Sequence, residues 1–106
     1  MSWTVKLTSN AEADLELSHD YYERQGAGLG LRFLTAVRHS LDILEELPTI
    51  FGEILPGVRF QVVEPFQQVV YYVVLGDTVH VIGVIHAKRD PNIWKMRRKT
   101  FLNQAE

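Results

Sequence analysis

Residues 86–99 read His-Ala-Lys-Arg-Asp-Pro-Asn-Ile-Trp-Lys-Met-Arg-Arg-Lys, six Lys or Arg against a single acid. The imidazole of His86 can give or take a proton near neutral pH, and the cations behind it can hold an anion. This stretch follows directly on the apolar run Val79 to Ile85. A short apolar run bounded by turn residues reads as a buried strand, so the basic residues fall at the rim of a sheet. Rims of that kind meet a nucleic acid or an acidic partner. No other constellation competes. His19, His39 and His80 are scattered without metal-ligand spacing, and the absence of cysteine excludes a disulfide, a thiolate nucleophile and a Cys-type zinc site. The spacing of Gly26, Gly28 and Gly30 is wrong for a dinucleotide-binding loop. No cofactor is expected.

The elements that position this rim can be read from periodicity. Trp3, Val5 and Leu7 alternate with Thr4 and Lys6 as in a strand. Ser9 or Asn10 can cap a helix whose Ala11, Leu15, Ser18 and Tyr22 share an inner face. Residues 24–30 terminate it. A second helix is expected from about Leu31 to Leu47, with Leu34, Val37, Leu41 and Leu44 inward, flanked by Phe33 and Leu47, and Pro48 stopping it. Residues 48–57 read as a loop. Val58, Phe60 and Val62 alternate in a second strand, Gln68 to Leu75 form a third, and Gly76-Asp77 turns the chain into the fourth, Thr78 to His86. Tyr71 and Tyr72 must point to opposite faces. Asp90-Pro91 opens a short C-terminal helix, with Asp90 as the cap. The order β-αα-βββ-α predicts an α+β domain: a mainly antiparallel four-stranded sheet, an N-terminal helical hairpin on one face, and the other face less covered.

Composition sets the bounds. The 106 residues suffice for one domain, residues 1–106, and not for two. No basic start with an apolar segment marks a signal peptide, and Gly76-Asp77 breaks the longest apolar stretch well short of a membrane span. A cytoplasmic location and no membrane partner are expected. The net charge of −2 is unevenly spread. Residues 9–47 carry eight carboxylates against three arginines, opposite in sign to residues 86–99. The molecule is expected to be electrically two-sided.

Taken together these residues are similar to a known family. Ala11-Glu12-Ala13-Asp14-Leu15, Asp20-Tyr21-Tyr22, Gly30-Leu31-Arg32-Phe33-Leu34, Leu47-Pro48, Val58-Arg59-Phe60, Val69-Val70-Tyr71-Tyr72-Val73 and Val84-Ile85-His86-Ala87-Lys88-Arg89-Asp90-Pro91 follow one another in an order and spacing that resembles the ParE/RelE superfamily of bacterial type II toxins, the ParE branch most closely. The resemblance implies a toxin neutralised by a cognate, ParD-like antitoxin, with which it would form a hetero-oligomer. It implies DNA gyrase as the target for the ParE branch. For RelE-type relatives it implies ribosome-dependent cleavage of messenger RNA. Both branches share the fold, so fold does not choose between them.

Two residue sets follow. Metal-free RNA cleavage needs a base, an acid and cations on the developing phosphorane. The candidates are His86 as acid or base, Arg59, Lys88 and Arg89 as phosphate clamps, and Glu64 as an alternative base. The sequence pI of about 6.1 and the lack of a tyrosine after Tyr72 weigh against this chemistry. Target gripping without catalysis points instead to Lys88, Arg89, Trp94, Arg97 and Arg98, because the last helix is basic and imperfectly amphipathic.

Overall fold

The computed structural model describes residues 2–105. The elements in order are β1 (Thr4–Leu7), α1 (Ser9–Gln25), α2 (Leu29–Glu46), β2 (Glu53–Leu55), β3 (Val58–Val63), β4 (Gln68–Leu75), β5 (Thr78–His86) and α3 (Asn92–Ala105). One sheet runs in the order β1-β5-β4-β3-β2. β1 lies parallel to β5, and every other pairing is antiparallel. The expected α+β plan therefore holds with a fifth strand. β2 lies within the stretch read as a loop. It has three residues and an irregular register against β3 (Glu53 with Arg59, Leu55 with Val58), too little for any alternation to show in sequence.

Alternation on β4 sorts the core into two layers. Val70 and Tyr72 face the helical hairpin and pack with Phe33, Val37, Leu41 and Leu44 of α2. Val69, Tyr71 and Val73 face the other way and pack with Ile82, Ile85 and Trp94 of α3. Phe33 rather than Leu34 is the centre of the α2 stripe: Phe33 is fully buried and meets Tyr22 and Phe66 edge-on or tilted, whereas Leu34 is half-buried and Leu47 is exposed. The second sheet face is not bare. α3 covers one end of it, leaving Phe60 and Val62 of β3 exposed beside the groove that α3 borders.

Local chemistry fixes the ends. Thr8, one residue before the expected caps, closes α1: its Oγ1 accepts the Ala11 N–H at 3.2 Å. The Glu23 carboxylate of α1 accepts the Gly28 and Gly30 amides at 3.1 and 3.0 Å, occupying the open N-terminus of α2. Asp90 accepts the Asn92 amide at 2.9 Å and starts α3. Gly76 takes φ +60° in the two-residue turn between Leu75 and Thr78, a conformation open to glycine without strain.

β5 carries an irregularity that matters below. Tyr71 faces Gly83 and Tyr72 faces Val81, so Ile82 is an extra residue, a bulge. β1 reaches only as far as Val81. Beyond that point the outer edge of β5 has no neighbouring strand, and side chains take over its hydrogen bonds. Val84 N–H donates to Asp14 Oδ2 at 3.0 Å, and the Ile82 carbonyl accepts from Arg97 Nη1 at 3.2 Å.

Candidate functional site

The rim where β5 ends opens into a cleft of about 500 Å³, lined by Leu17, Ser18, Tyr21 and Tyr22 of α1 together with Gln68, His86 and Arg89. Register places His86 directly opposite Gln68, on the hairpin side of the sheet. A bonded network underlies the cleft. Tyr22 Oη lies 2.9 Å from the Phe66 carbonyl and 2.9 Å from Gln68 Oε1, and Gln68 Nε2 lies 3.2 Å from Ser18 Oγ. A phenol has one proton. All three contacts are satisfied when Tyr22 donates to Phe66 and the Gln68 amide turns its NH₂ toward the phenol oxygen and its carbonyl toward the Ser18 hydroxyl. Burial, reinforced by neighbouring Tyr21, pushes the Tyr22 hydroxyl pKa up, so Tyr22 stays a neutral donor.

His86 Nδ1 accepts the Lys88 amide at 3.1 Å. In the neutral ring the proton therefore sits on Nε2. The side chains of Lys88 and Arg89 have no hydrogen-bond or ion-pair partner among the described residues, and both are exposed. Of the two, Arg89 lines the cleft, across from Leu17 and Tyr21, 69% and 53% exposed. The cleft thus offers donors and positive charge on one wall and apolar, aromatic surface on the other.

The remaining sequence candidates are elsewhere. Arg59 Nη1 donates to the Phe51 carbonyl at 2.5 Å, and its Nη2 lies 3.8 Å from Glu53. Its cross-strand partner is Tyr72, four residues along β4 from the Gln68 that faces His86. At the rise of a strand that is ~13 Å, so His86 and Arg59 do not converge. Glu64 is exposed beyond the end of β3 and does not line the cleft.

Three of the residues expected to face a target are turned to the fold. Trp94 is 9% exposed and stacks on Tyr71, with ring centroids 5.2 Å apart and planes 14° from parallel. Arg97 grips Asp14 with both nitrogens, Nη1 to Oδ2 at 2.5 Å and Nη2 to Oδ1 at 3.1 Å. Arg98 Nε donates to the Pro56 carbonyl at 2.7 Å. For Trp94 and Arg97 the physical reason is that the second sheet face and the uncovered β5 edge need partners, which α3 supplies; Arg98 ties α3 to the β2–β3 turn. Of the expected set, Lys88 and Arg89 remain free on the β5–α3 turn.

The chain matches the family model described as ParE toxin of type II toxin-antitoxin system, parDE, over residues 5–91. The chain belongs to the ParE toxin family. Among solved structures, a protein of the "Chromosomal ParDE TA system from P. aeruginosa" shares the fold with a TM-score of 0.73 and 20% identity, covering 82% of this chain and 98% of that one. No curated protein matches the chain. The ParE match ends at Pro91, so it includes every residue that lines the cleft and stops one residue short of α3.

Sequence reasoning found the rim residues and missed the opposite wall. Ser18 and Tyr22 were legible as inward-facing positions of α1, but nothing in the spacing shows that they look onto the end of β5. Gln68 is the first residue of a strand and gives no signal of its own. Asp14 reads as an ordinary acid of the first helical turns, and nothing near it in sequence points to its partner Arg97.

Proposed function

We propose that this ParE-family chain is a toxin held in check by a cognate ParD-like antitoxin and that it poisons DNA gyrase by binding it, without catalysing a reaction of its own. The observation that carries this reading is the dispersal of the nuclease set. Arg59 is committed to Phe51 and Glu53, Glu64 lies outside the cleft, and of the arginines around His86 only Arg89 is unpaired among the described residues, Arg97 in the adjoining cavity being held by Asp14. A phosphorane held by one guanidinium lacks the convergent positive charge that metal-free RNA cleavage requires. Protein binding asks for less: an apolar surface with charges at its rim. The exposed Phe60 and Val62, beside Ile54, Leu55 and Trp94, form such a surface on the α3 side, suited to the apolar face of an antitoxin segment that folds as it binds.

The test is a gyrase supercoiling and DNA-cleavage assay run beside a translation-coupled messenger-cleavage assay. The expected result is loss of supercoiling activity or accumulation of cleaved DNA, with messenger intact. One observation favours the second reading, a RelE-type nuclease: Tyr21 and Tyr22 join His86 and Arg89 in one cleft, supplying from α1 the tyrosines that the C-terminal sequence lacks. Messenger cleavage that His86→Ala abolishes would establish that reading and remove the first.

A further inference from the structure

We infer that the cleft between α1 and the β5–α3 turn is a docking site for a linear peptide that carries a carboxylate next to an aliphatic or aromatic side chain. This rests on the reading of the chain as a protein-binding toxin and goes beyond it by naming the chemistry recognised. Three observations carry it. Arg89 offers a guanidinium without an internal partner among the described residues, and the His86 ring adds an Nε2 donor beside it. A carboxylate is the group that fits a guanidinium and an imidazole N–H on one wall. On the facing wall Leu17 and Tyr21, four residues apart on α1 and 69% and 53% exposed, set an apolar and an aromatic side chain next to each other in the cleft lining. Beneath them the Tyr22–Gln68–Ser18 network closes the floor with all its hydrogen bonds made internally, so the ligand has no buried polar group to satisfy there.

The electrostatics choose between peptide and nucleic acid. A nucleic-acid strand brings a phosphate at every step and needs a cation for most of them. Here the cations sit on one wall only. The other wall belongs to α1, whose solvent side carries Glu12, Glu16 and Asp20, and the chain as a whole is net negative. None of these acids lines the cleft, so the choice rests on the cations: a run of phosphates would find Arg89 as the one Lys or Arg in the lining, whereas a peptide needs a single carboxylate there.

The experiment is a phage-displayed dodecapeptide selection on the purified full chain, followed by fluorescence anisotropy with the synthesised winners. The expected consensus places Asp or Glu beside Leu, Phe or Trp. Arg89→Glu should weaken the winner about ten-fold or more, and Tyr21→Ala about five-fold. Arg89 is exposed and unpaired among the described residues, so an unchanged melting temperature should accompany the Arg89→Glu loss. A peptide with its acid replaced by Lys should regain binding to Arg89→Glu. A consensus without an acid, no consensus, or binding indifferent to Arg89→Glu overturns the inference. So does tight binding of an oligouridylate dodecamer that Arg89→Glu removes. Outcomes separate from those of the gyrase assay: a chain that binds the peptide but leaves gyrase untouched refutes the target, while a gyrase poison that selects no acidic peptide refutes the cleft.

Discussion

Arg97→Met should cost about 3 kcal/mol of folding stability, and the reasoning behind that number is open to refutation. The Arg97 and Asp14 side chains are 20% and 13% exposed, so each has lost most of its hydration. Removing one member of a buried pair costs ~3–5 kcal/mol, because the other charge stays behind uncompensated. The residual exposure here moves the expectation to the lower end. With a urea m-value of ~1–3 kcal/mol/M for a small domain, the denaturation midpoint should fall by ~1–3 M. The double variant Asp14→Leu/Arg97→Met sharpens the test. Apolar replacement of a simple ion pair is often neutral. In this protein Asp14 also accepts the Val84 amide and Arg97 also donates to the Ile82 carbonyl, so the double variant leaves two groups of the β5 edge without partners. It should therefore remain ~1–3 kcal/mol below wild type. If Arg97→Met instead stays within ~0.5 kcal/mol, as an exposed substitution does, Arg97 does not close the β5 edge. Its place among target-facing residues would then be restored.

Further outcomes follow from the same geometry. Trp94→Ala should cost ~3 kcal/mol or more in chemical denaturation, since it removes a buried ring stacked on Tyr71. Burial pushes the Tyr72 hydroxyl up to about 12, against a smaller lowering by Arg59, and that hydroxyl donates to the Pro48 carbonyl at 2.6 Å. Its folded pKa lies above the ordinary 10.0, so its contribution is complete below pH 10 and disappears as pH rises toward 12. Tyr72→Phe should remove that alkaline dependence and lower stability by ~1–2 kcal/mol at neutral pH, read by denaturation across pH. The Gly28 and Gly30 amides, in that order, hold the Glu23 carboxyl below its usual 4.5. That contribution is present above pH 4.5 and fades as pH falls through the lowered value, so Glu23→Gln should flatten the acid limb of the stability profile.

Sequence was informative where one element decides the outcome by itself. The alternation of β3, the apolar runs of β4 and β5, the Gly76-Asp77 turn, the Asp90 cap and the opposite facing of Tyr71 and Tyr72 all follow from local sequence, and the structure has them. It was uninformative where two distant segments decide together. Thr8 displaces Ser9 and Asn10 as the α1 cap because its own amide is held by the Val81 carbonyl at 3.0 Å, which sets where β1 ends and the helix begins. Trp94 and Arg97 share a strip of α3 that looks interrupted by charge. The interruption vanishes once the partner of Arg97 is known to be Asp14, 83 residues earlier in the chain.

That same ion pair changes where recognition can occur. Counted in sequence, residues 86–99 form one basic block, and the block invites a nucleic-acid reading. In the fold the block divides. Arg97 is neutralised by Asp14, Arg98 holds the Pro56 carbonyl, and Lys95 lies with its Nζ 5.7 Å from the Trp94 ring centroid. Lys99 is exposed on α3, and Lys88 and Arg89 are left on the β5–α3 turn, Arg89 lining the cleft. The positive surface available there is two side chains, too few for tracking a phosphate backbone and enough for holding a carboxylate. Under the cleft inference the recognising cation lies on the turn that precedes α3, inside the family match, and not on α3 itself. The role left to α3 is to close the β5 edge and hold that turn in place.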